Sequence, residues 1–126
     1  MSKQKRYFPR FLLPLILYLI LIFFMSSLPG KEIPDVDIPY FDKLLHLMEY
    51  AVLGFLLMRG LKNSELKFSN ISFIIFTAIF STLYGLSDEF HQSFVPSRDA
   101  SLLDVLFDCI GGAIGGIVYR KTPFLR

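Results

Sequence analysis

Histidine and carboxylate side chains are grouped in short stretches of this 126-residue sequence, at spacings that suit chemistry. His46 and Glu49 are three residues apart, so they share one face if the segment is helical, and Asp88 and Glu89 are adjacent. Imidazole nitrogens and carboxylate oxygens bind divalent metal ions and also transfer protons in catalysis. These four residues are therefore candidate ligands of a divalent metal, and Glu89, Asp88 and His46 are also candidate catalytic groups.

A second set of polar residues near these stretches is suited to binding a ligand. Guanidinium groups form paired hydrogen bonds with phosphates and carboxylates, while carboxylate, amide and hydroxyl side chains bind amino and hydroxyl groups. We therefore expect Arg98, with Lys43 as a second cation, to hold an anionic group. The candidate ligand-binding residues are Arg98, Lys43, Gln92, Tyr50, Asp104 and Asp42.

Some of these residues also have a purely structural interpretation. Asp42 is suited to cap the N-terminus of a helix. Ser101 and Asp104 have the spacing of a capping box before an apolar run. Asp108 lies a full turn deeper in that run, where an isolated carboxylate is costly, so it needs a partner. Both interpretations stay open for Asp42 and Asp104.

The elements that must position these groups are apolar helices. Hydrophobic residues make up 53% of the chain and the mean hydropathy is +0.52, values that place the chain in a lipid bilayer. Four segments are long enough to cross a hydrocarbon core of about 30 Å as helices. The sequence predicts an all-α membrane protein, a single domain over residues 1–126 that forms a four-transmembrane-helix bundle. The predicted helices are residues 11–28, with Pro14 in the first turn, 44–61, 68–86 and 102–119.

The distribution of basic residues predicts the orientation of this bundle. Lysine and arginine are concentrated in the N-terminal tail, the loop between the second and third helices, and the C-terminal tail. Cytoplasmic segments retain such residues, so both termini are expected in the cytoplasm. The opposite side holds only Lys31, Lys43 and Arg98, whereas Glu65 is the only acid on the cytoplasmic side. The polar residues of the last three helices are therefore expected to line one outward-facing pocket.

Glycines in the last helix indicate close helix packing. Gly111 and Gly115 have the small-residue spacing that lets two helix backbones approach, and Gly112 and Gly116 repeat it. This spacing serves either packing within the bundle, which we favour, or a homodimer.

Composition and missing motifs exclude several classes of protein. The net charge is only +2 and no basic stripe is present, so nucleic acid is not an expected partner. Cys109 is the single cysteine, which excludes a disulfide framework and a cysteine-based zinc motif. Nucleotide-binding loops, HExxH and GxSxG are also absent, which weakens an enzymatic interpretation without excluding it.

Three segments, "SSLPG", "DKLLHLMEYAVLGFLL" and "SDEFHQSFVPSRDASLLDVLFDCIGGAIGG", together resemble the VanZ family of small bacterial membrane proteins. This family more usually has asparagine at the position of Asp108. The resemblance implies a multi-pass protein of the bacterial cytoplasmic membrane, in a family named for a protein associated with low-level teicoplanin resistance. The matched motif positions are Asp42, Lys43, His46, Tyr50, Asp88, Glu89, Gln92, Arg98 and Asp104, with Glu49 as a frequent companion.

Three functions are consistent with these features. The protein binds an amphiphile of the cell envelope, such as a lipid-linked wall precursor or a lipidated glycopeptide. Alternatively, it is a divalent-metal-dependent hydrolase or transferase acting on a lipid-linked phosphate or acyl group. In the third interpretation, the intramembrane acids and histidine form the relay of a proton- or cation-coupled transporter. The sequence leaves open whether the protein is an enzyme.

Overall fold

The computed structural model describes residues 2–30 and 36–122, and every regular element in this part of the chain is helical. Lys31 lies outside the described residues. The first three elements form one continuous rod, the first span, which covers Gln4–Ser26. All four spans are long and apolar enough to cross a membrane. The elements are α1 (Lys3–Tyr7), a π-helical turn (Phe8–Leu12), α2 (Leu13–Ser26), α3 (Phe41–Asn63), α4 (Asn70–Gln92) and α5 (Leu102–Lys121).

The first span begins earlier than the sequence predicts, but Pro14 still lies in the first turn of its long α-helix, α2, immediately after the π-helical turn. Proline has no N–H, so the carbonyl of Arg10 loses its usual donor four residues later. Arg59 of α3 supplies a replacement, because its Nη1 donates a hydrogen bond to the Arg10 oxygen at 2.9 Å. The wider π-helical turn comes immediately before α2. A contact with α3 thus satisfies the backbone oxygen that Pro14 leaves without a partner.

α3 starts without the cap that the sequence suggested. Its N-cap residue is Tyr40, which adopts a left-handed conformation with φ of 60° and forms no side-chain capping bond. Asp42 lies inside the first turn and bonds to Lys43 instead. The interpretation of Asp42 as an N-cap is therefore wrong, since the helix begins one residue before it and its carboxylate pairs with the neighbouring Lys43.

α4 continues beyond the predicted end at Leu86 and ends at Gln92. Asp88, Glu89 and Gln92 are consequently helical residues, and all three are buried. Their burial requires contacts with the other helices, because an unpaired carboxylate in this position is unfavourable.

The centre of the bundle is α5, which packs most extensively against α3 and next against α4. A Cβ atom at Gly115 would overlap the carbonyl oxygen of Ala51 in α3, and one at Gly112 would overlap the Ser81 hydroxyl in α4. Gly54 of α3 faces the Gly112 backbone in the same way. All four glycines of α5 are buried. They therefore pack within the chain, while their use in a homodimer stays a prediction.

The first span is attached to the other helices by a few polar contacts. Ile22 and Ser26 are the buried residues of α2. Three tyrosine hydroxyl groups donate hydrogen bonds to backbone carbonyl oxygens across its boundary, each at 2.6 Å. They join Tyr7 to Gly60, Tyr18 to Glu49 and Tyr84 to Leu19. These contacts orient the first span so that α2 and α4 end where α3 and α5 begin, which we call the polar end of the bundle.

Candidate ligand-binding site

A cavity of about 570 Å³ lies at the polar end. Polar residues from all four spans and from the α4–α5 loop line it and form its polar wall, so the tertiary structure joins groups that are far apart in sequence. Of the predicted site residues, seven line it: Asp42, His46, Glu49, Asp88, Gln92, Arg98 and Asp104.

The polar wall is held together by Lys43, which does not line the cavity itself. Its Nζ lies 2.6 Å from Asp42 Oδ2 and 2.7 Å from Asp104 Oδ1. The Asp42 side chain is 66% exposed, whereas that of Asp104 is 6% exposed. Lys43 therefore ties the start of α3 to the start of α5, and its charge is already compensated by these two carboxylates.

His46, which lines the cavity, forms a pair with Asp108, which lies behind the wall. The Nδ1 atom of His46 is hydrogen-bonded to Oδ1 of Asp108 at 2.9 Å, and its Nε2 lies 3.7 Å from Oδ2 of Asp104. Asp108 is fully buried. Gly85 of α4 makes room for it, since a Cβ there would lie 2.5 Å from Oδ2 of Asp108. His46 is thus the partner that the depth of Asp108 requires.

Glu89 takes over a role that the sequence assigned to Asp104. Ser101 caps α5 by accepting a hydrogen bond from the Leu103 N–H at 3.2 Å. In a capping box, the acid three residues after the cap accepts a bond from the cap's own N–H. Here Oε2 of Glu89 accepts that bond at 2.7 Å, while Asp104 pairs with Lys43. The capping box of Ser101 and Asp104 is therefore completed by a carboxylate from another helix.

Three groups beneath the cavity have the composition of a metal site. One ligand atom each from His46, Glu89 and Asp108 lies within 4.8 Å of the other two. The predicted ligand set overlaps this cluster at His46 and Glu89, whereas Glu49 and Asp88 line the cavity instead. Asp108 was missing from the predicted set, although its need for a partner was the signal that could have included it.

Tyr50 lies beside this cluster rather than on the cavity wall. Its ring stacks near His46, with 6.4 Å between the ring centroids, and the residue is fully buried. Its hydroxyl has no hydrogen-bond partner in the described part of the chain. The hydroxyl is therefore available to a water molecule or ligand that enters this region.

Arg98 is positioned by a loop that packs against the end of the first span. Ser97 adopts a left-handed conformation with φ of 61°, and the Arg98 N–H donates to the Val95 oxygen at 3.3 Å. Gly30 donates to the Pro96 oxygen at 3.1 Å, and a Cβ at Gly30 would overlap the Ser97 carbonyl. The "SSLPG" and "VPSR" segments are thus in direct contact.

The Arg98 guanidinium lines the cavity without a direct salt bridge. Within the described residues, 2–30 and 36–122, no carboxylate oxygen lies within 4.0 Å of an Arg98 side-chain nitrogen, which is the limit for an ion pair. This differs from Lys43, which contacts two carboxylates. Among the described residues Arg98 has Glu49 and Asp88 as electrostatic neighbours but no direct ion pair, which leaves its guanidinium able to bind an anion that enters the cavity.

The remaining wall of the cavity is apolar and continues onto the outer surface of the bundle. Leu45, Met48 and Val52 follow one another along one side of α3, and Met25 contributes from α2. Each of these side chains is about half exposed, with values from 45% to 59%. In a membrane this surface contacts acyl chains, so the cavity is amphipathic.

His91 contributes to structure at this end of the bundle. Its Nε2 is hydrogen-bonded to the Ser27 hydroxyl at 2.8 Å, and its ring stacks on Phe23 with 4.5 Å between centroids. These contacts join α4 to the end of the first span. This pairing could not be predicted from the sequence, because no periodic pattern relates residues in separate helices.

A family model described as VanZ/LLP1 matches residues 11–126, a range that includes every residue of the cavity and of the cluster beneath it. No curated protein and no solved structure matches the chain.

Proposed function

Because the chain belongs to the VanZ/LLP1 family and is a multi-pass membrane protein, we propose that its polar-end cavity binds an amphiphile of the bacterial cell envelope. The anionic head group contacts Arg98, and the tail lies along the apolar wall. A lipid-linked wall precursor and a lipidated glycopeptide both have this chemistry. The family's association with teicoplanin supports a contribution to tolerance of that antibiotic.

One observation carries this proposal: Arg98 is a cation on the cavity wall with no ion-pair partner among the described residues. A guanidinium offers two parallel N–H donors, which match the oxygens of a phosphate or carboxylate. Lys43 is not equivalent, because Asp42 and Asp104 already bind its ammonium group. The remaining acids of the wall suit amino and hydroxyl groups of the same ligand.

The apolar wall supports an amphiphile over a small polar ligand. Leu45, Met48 and Val52 reach from the cavity to the surface that faces lipid. A tail can therefore stay in the hydrocarbon while the head group enters the cavity from the side, without passing through bulk water.

Binding of dodecyl phosphate to detergent-purified protein tests this proposal. A charge-assisted hydrogen bond contributes about 1.5–3 kcal/mol, so Arg98→Ala should weaken binding by about tenfold or more. Arg98→Lys should retain part of the affinity for dodecyl phosphate. Lys67→Ala, at the other end of the bundle, should bind dodecyl phosphate as the wild type does. Equal affinity in Arg98→Ala and Lys67→Ala would refute the proposed role of Arg98.

The proposal also places the polar end at the exterior face of the cytoplasmic membrane, as the distribution of basic residues predicts. Single cysteines at Asp37 and Lys67, both exposed, report on the two ends in a Cys109→Ala background. Asp37→Cys should react with a membrane-impermeant maleimide in intact cells, whereas Lys67→Cys should react only after lysis. The reverse pattern would place the cavity on the cytoplasmic side.

A further inference from the structure

The floor of the cavity contains a cluster of one imidazole and two carboxylates. We propose that His46, Glu89 and Asp108 bind one divalent metal ion of the Mn²⁺ to Zn²⁺ series. This site is distinct from Arg98 and does not depend on amphiphile binding, since two of its three ligands, Glu89 and Asp108, lie behind the polar wall.

The first support is distance. The three ligand atoms lie within 4.8 Å of one another. Bonds of about 2.0–2.2 Å separate the ligands of a tetrahedral ion by about 3.4 Å. The ligand atoms therefore need to approach one another by at most about 1.4 Å, a distance within the range of side-chain rotation.

The second support is independent of distance and concerns unpaired oxygens. Asp108 is fully buried and Glu89 is 5% exposed. Oδ2 of Asp108 and Oε1 of Glu89 have no hydrogen-bond partner among the described residues. A buried carboxylate oxygen without a partner costs several kcal/mol. A bound cation would satisfy both oxygens at once.

The charge around the cluster also favours a cation. Within the described residues, the cavity and its floor contain seven carboxylates but two permanent cations, Lys43 and Arg98. A divalent ion therefore reduces the repulsion among the acids. The seven are Asp42, Glu49, Asp88, Glu89, Asp99, Asp104 and Asp108.

The ligand types select the class of metal. One nitrogen and two carboxylate oxygens suit Zn²⁺ or Mn²⁺, whereas Mg²⁺ and Ca²⁺ prefer oxygen ligands throughout. His46 also lines the cavity, so a coordination position that the protein leaves open would face it. An ion held there would be able to contact a head group that Arg98 has bound.

Titration of metal-free protein with Zn²⁺ alone, followed by calorimetry and elemental analysis, tests this inference. The wild type should bind about one equivalent. Glu89→Gln and Asp108→Asn should each weaken Zn²⁺ binding by tenfold or more, because each replaces a charged ligand with a neutral amide of the same shape. Glu49→Gln and Asp88→Asn are matched controls on the cavity wall and should bind Zn²⁺ much more tightly than the two cluster variants, because neither residue is a ligand.

Two results would overturn the metal site. One is wild-type protein that binds no Zn²⁺, and the other is an equal loss of affinity in the control pair and in the cluster pair. X-ray absorption of the wild-type protein with Zn²⁺ bound tests the ligand types without any variant, so a variant that fails to fold does not affect it. It should show imidazole and oxygen ligands, and sulfur coordination would contradict the assignment. Arg98→Ala should keep its Zn²⁺ affinity even if it loses dodecyl phosphate, which separates this inference from the proposed function.

Discussion

α3 is packed in two different ways on its two sides. Against α5, the contact is between backbones, since Gly54, Gly111 and Gly115 leave no room for side chains. Against the first span, the contact depends on hydroxyl groups such as that of Tyr18, and most side chains of α2 face outward. In the apolar stretch with which each helix could cross the membrane, 44% of the residues are buried in α5 but only 6% in the first span. The bundle is therefore a tight core of α3, α4 and α5, to which the first span is loosely attached.

This difference matters for the cavity, because its apolar wall lies at the loose boundary. Met25 belongs to α2, whereas Leu45, Met48 and Val52 belong to α3. The polar wall is instead fixed by ion pairs between α3 and α5, which Lys43 bridges. One side of the cavity is thus held by ion pairs, and the proposed entry of a tail lies on the other, loosely packed side.

The largest expected effect is at the tight side of α3. Gly115→Ala places a methyl group against the Ala51 carbonyl, so it should destabilise the protein by about 1–3 kcal/mol or more. Gly60→Ala is the matched control, because a Cβ there meets only the Tyr7 hydroxyl at 3.6 Å. That change should be neutral or slightly stabilising, since alanine favours the helix. Thermal unfolding in detergent measures both, and equal melting temperatures would contradict the close packing of α5.

An intermediate effect is expected at the junction of α4 and α5. Glu89→Ala removes the acceptor of the Ser101 N–H and should cost about 0.5–2 kcal/mol, the range for loss of a helix cap. Glu89→Gln keeps an oxygen acceptor and should be close to the wild type in stability. Chemical denaturation of the two variants compares them directly. A stable Glu89→Ala variant would show that this carboxylate is not needed to start α5.

The smallest effects are expected at the loose side. Tyr18→Phe and Tyr84→Phe each remove one hydrogen bond between the first span and the rest of the bundle, worth about 0.5–1.5 kcal/mol. Tyr40→Phe, at an exposed position, is the control and should change nothing. Thermal unfolding measures the loss, and hydrogen exchange at Ile22 should increase in the double variant. Unchanged exchange would mean that the hydroxyl bonds do not hold the first span.

Much of the architecture could be predicted from hydrophobicity alone. The number of spans, their all-helical class and the resemblance to VanZ proteins were confirmed. The helix ends were less predictable. Hydropathy alone indicates a helix end before the polar pair Asp88 and Glu89, whereas α4 continues through both residues to Gln92. The start of the first span was also missed, since it begins at Gln4, whereas Pro14 lies in the first turn of α2 as predicted.

Within the site, the sequence identified the relevant residue types but not their partners. It placed His46, Glu89 and Arg98 among the candidates, and it required a partner for Asp108 without naming one. It treated Lys43 and Arg98 as similar cations, whereas only Arg98 is without an ion-pair partner among the described residues.

The sequence by itself determined that there are four apolar helices and that the last three place most of their acids and a histidine toward one end, because periodicity and length act along a single chain. Only the tertiary structure decided which charges neutralise one another. It paired Lys43 with Asp104, His46 with Asp108, and Glu89 with the Ser101 N–H. The physical reason is that ion pairs and hydrogen bonds depend on distances of a few ångströms between helices, and the glycines of α5 set those distances.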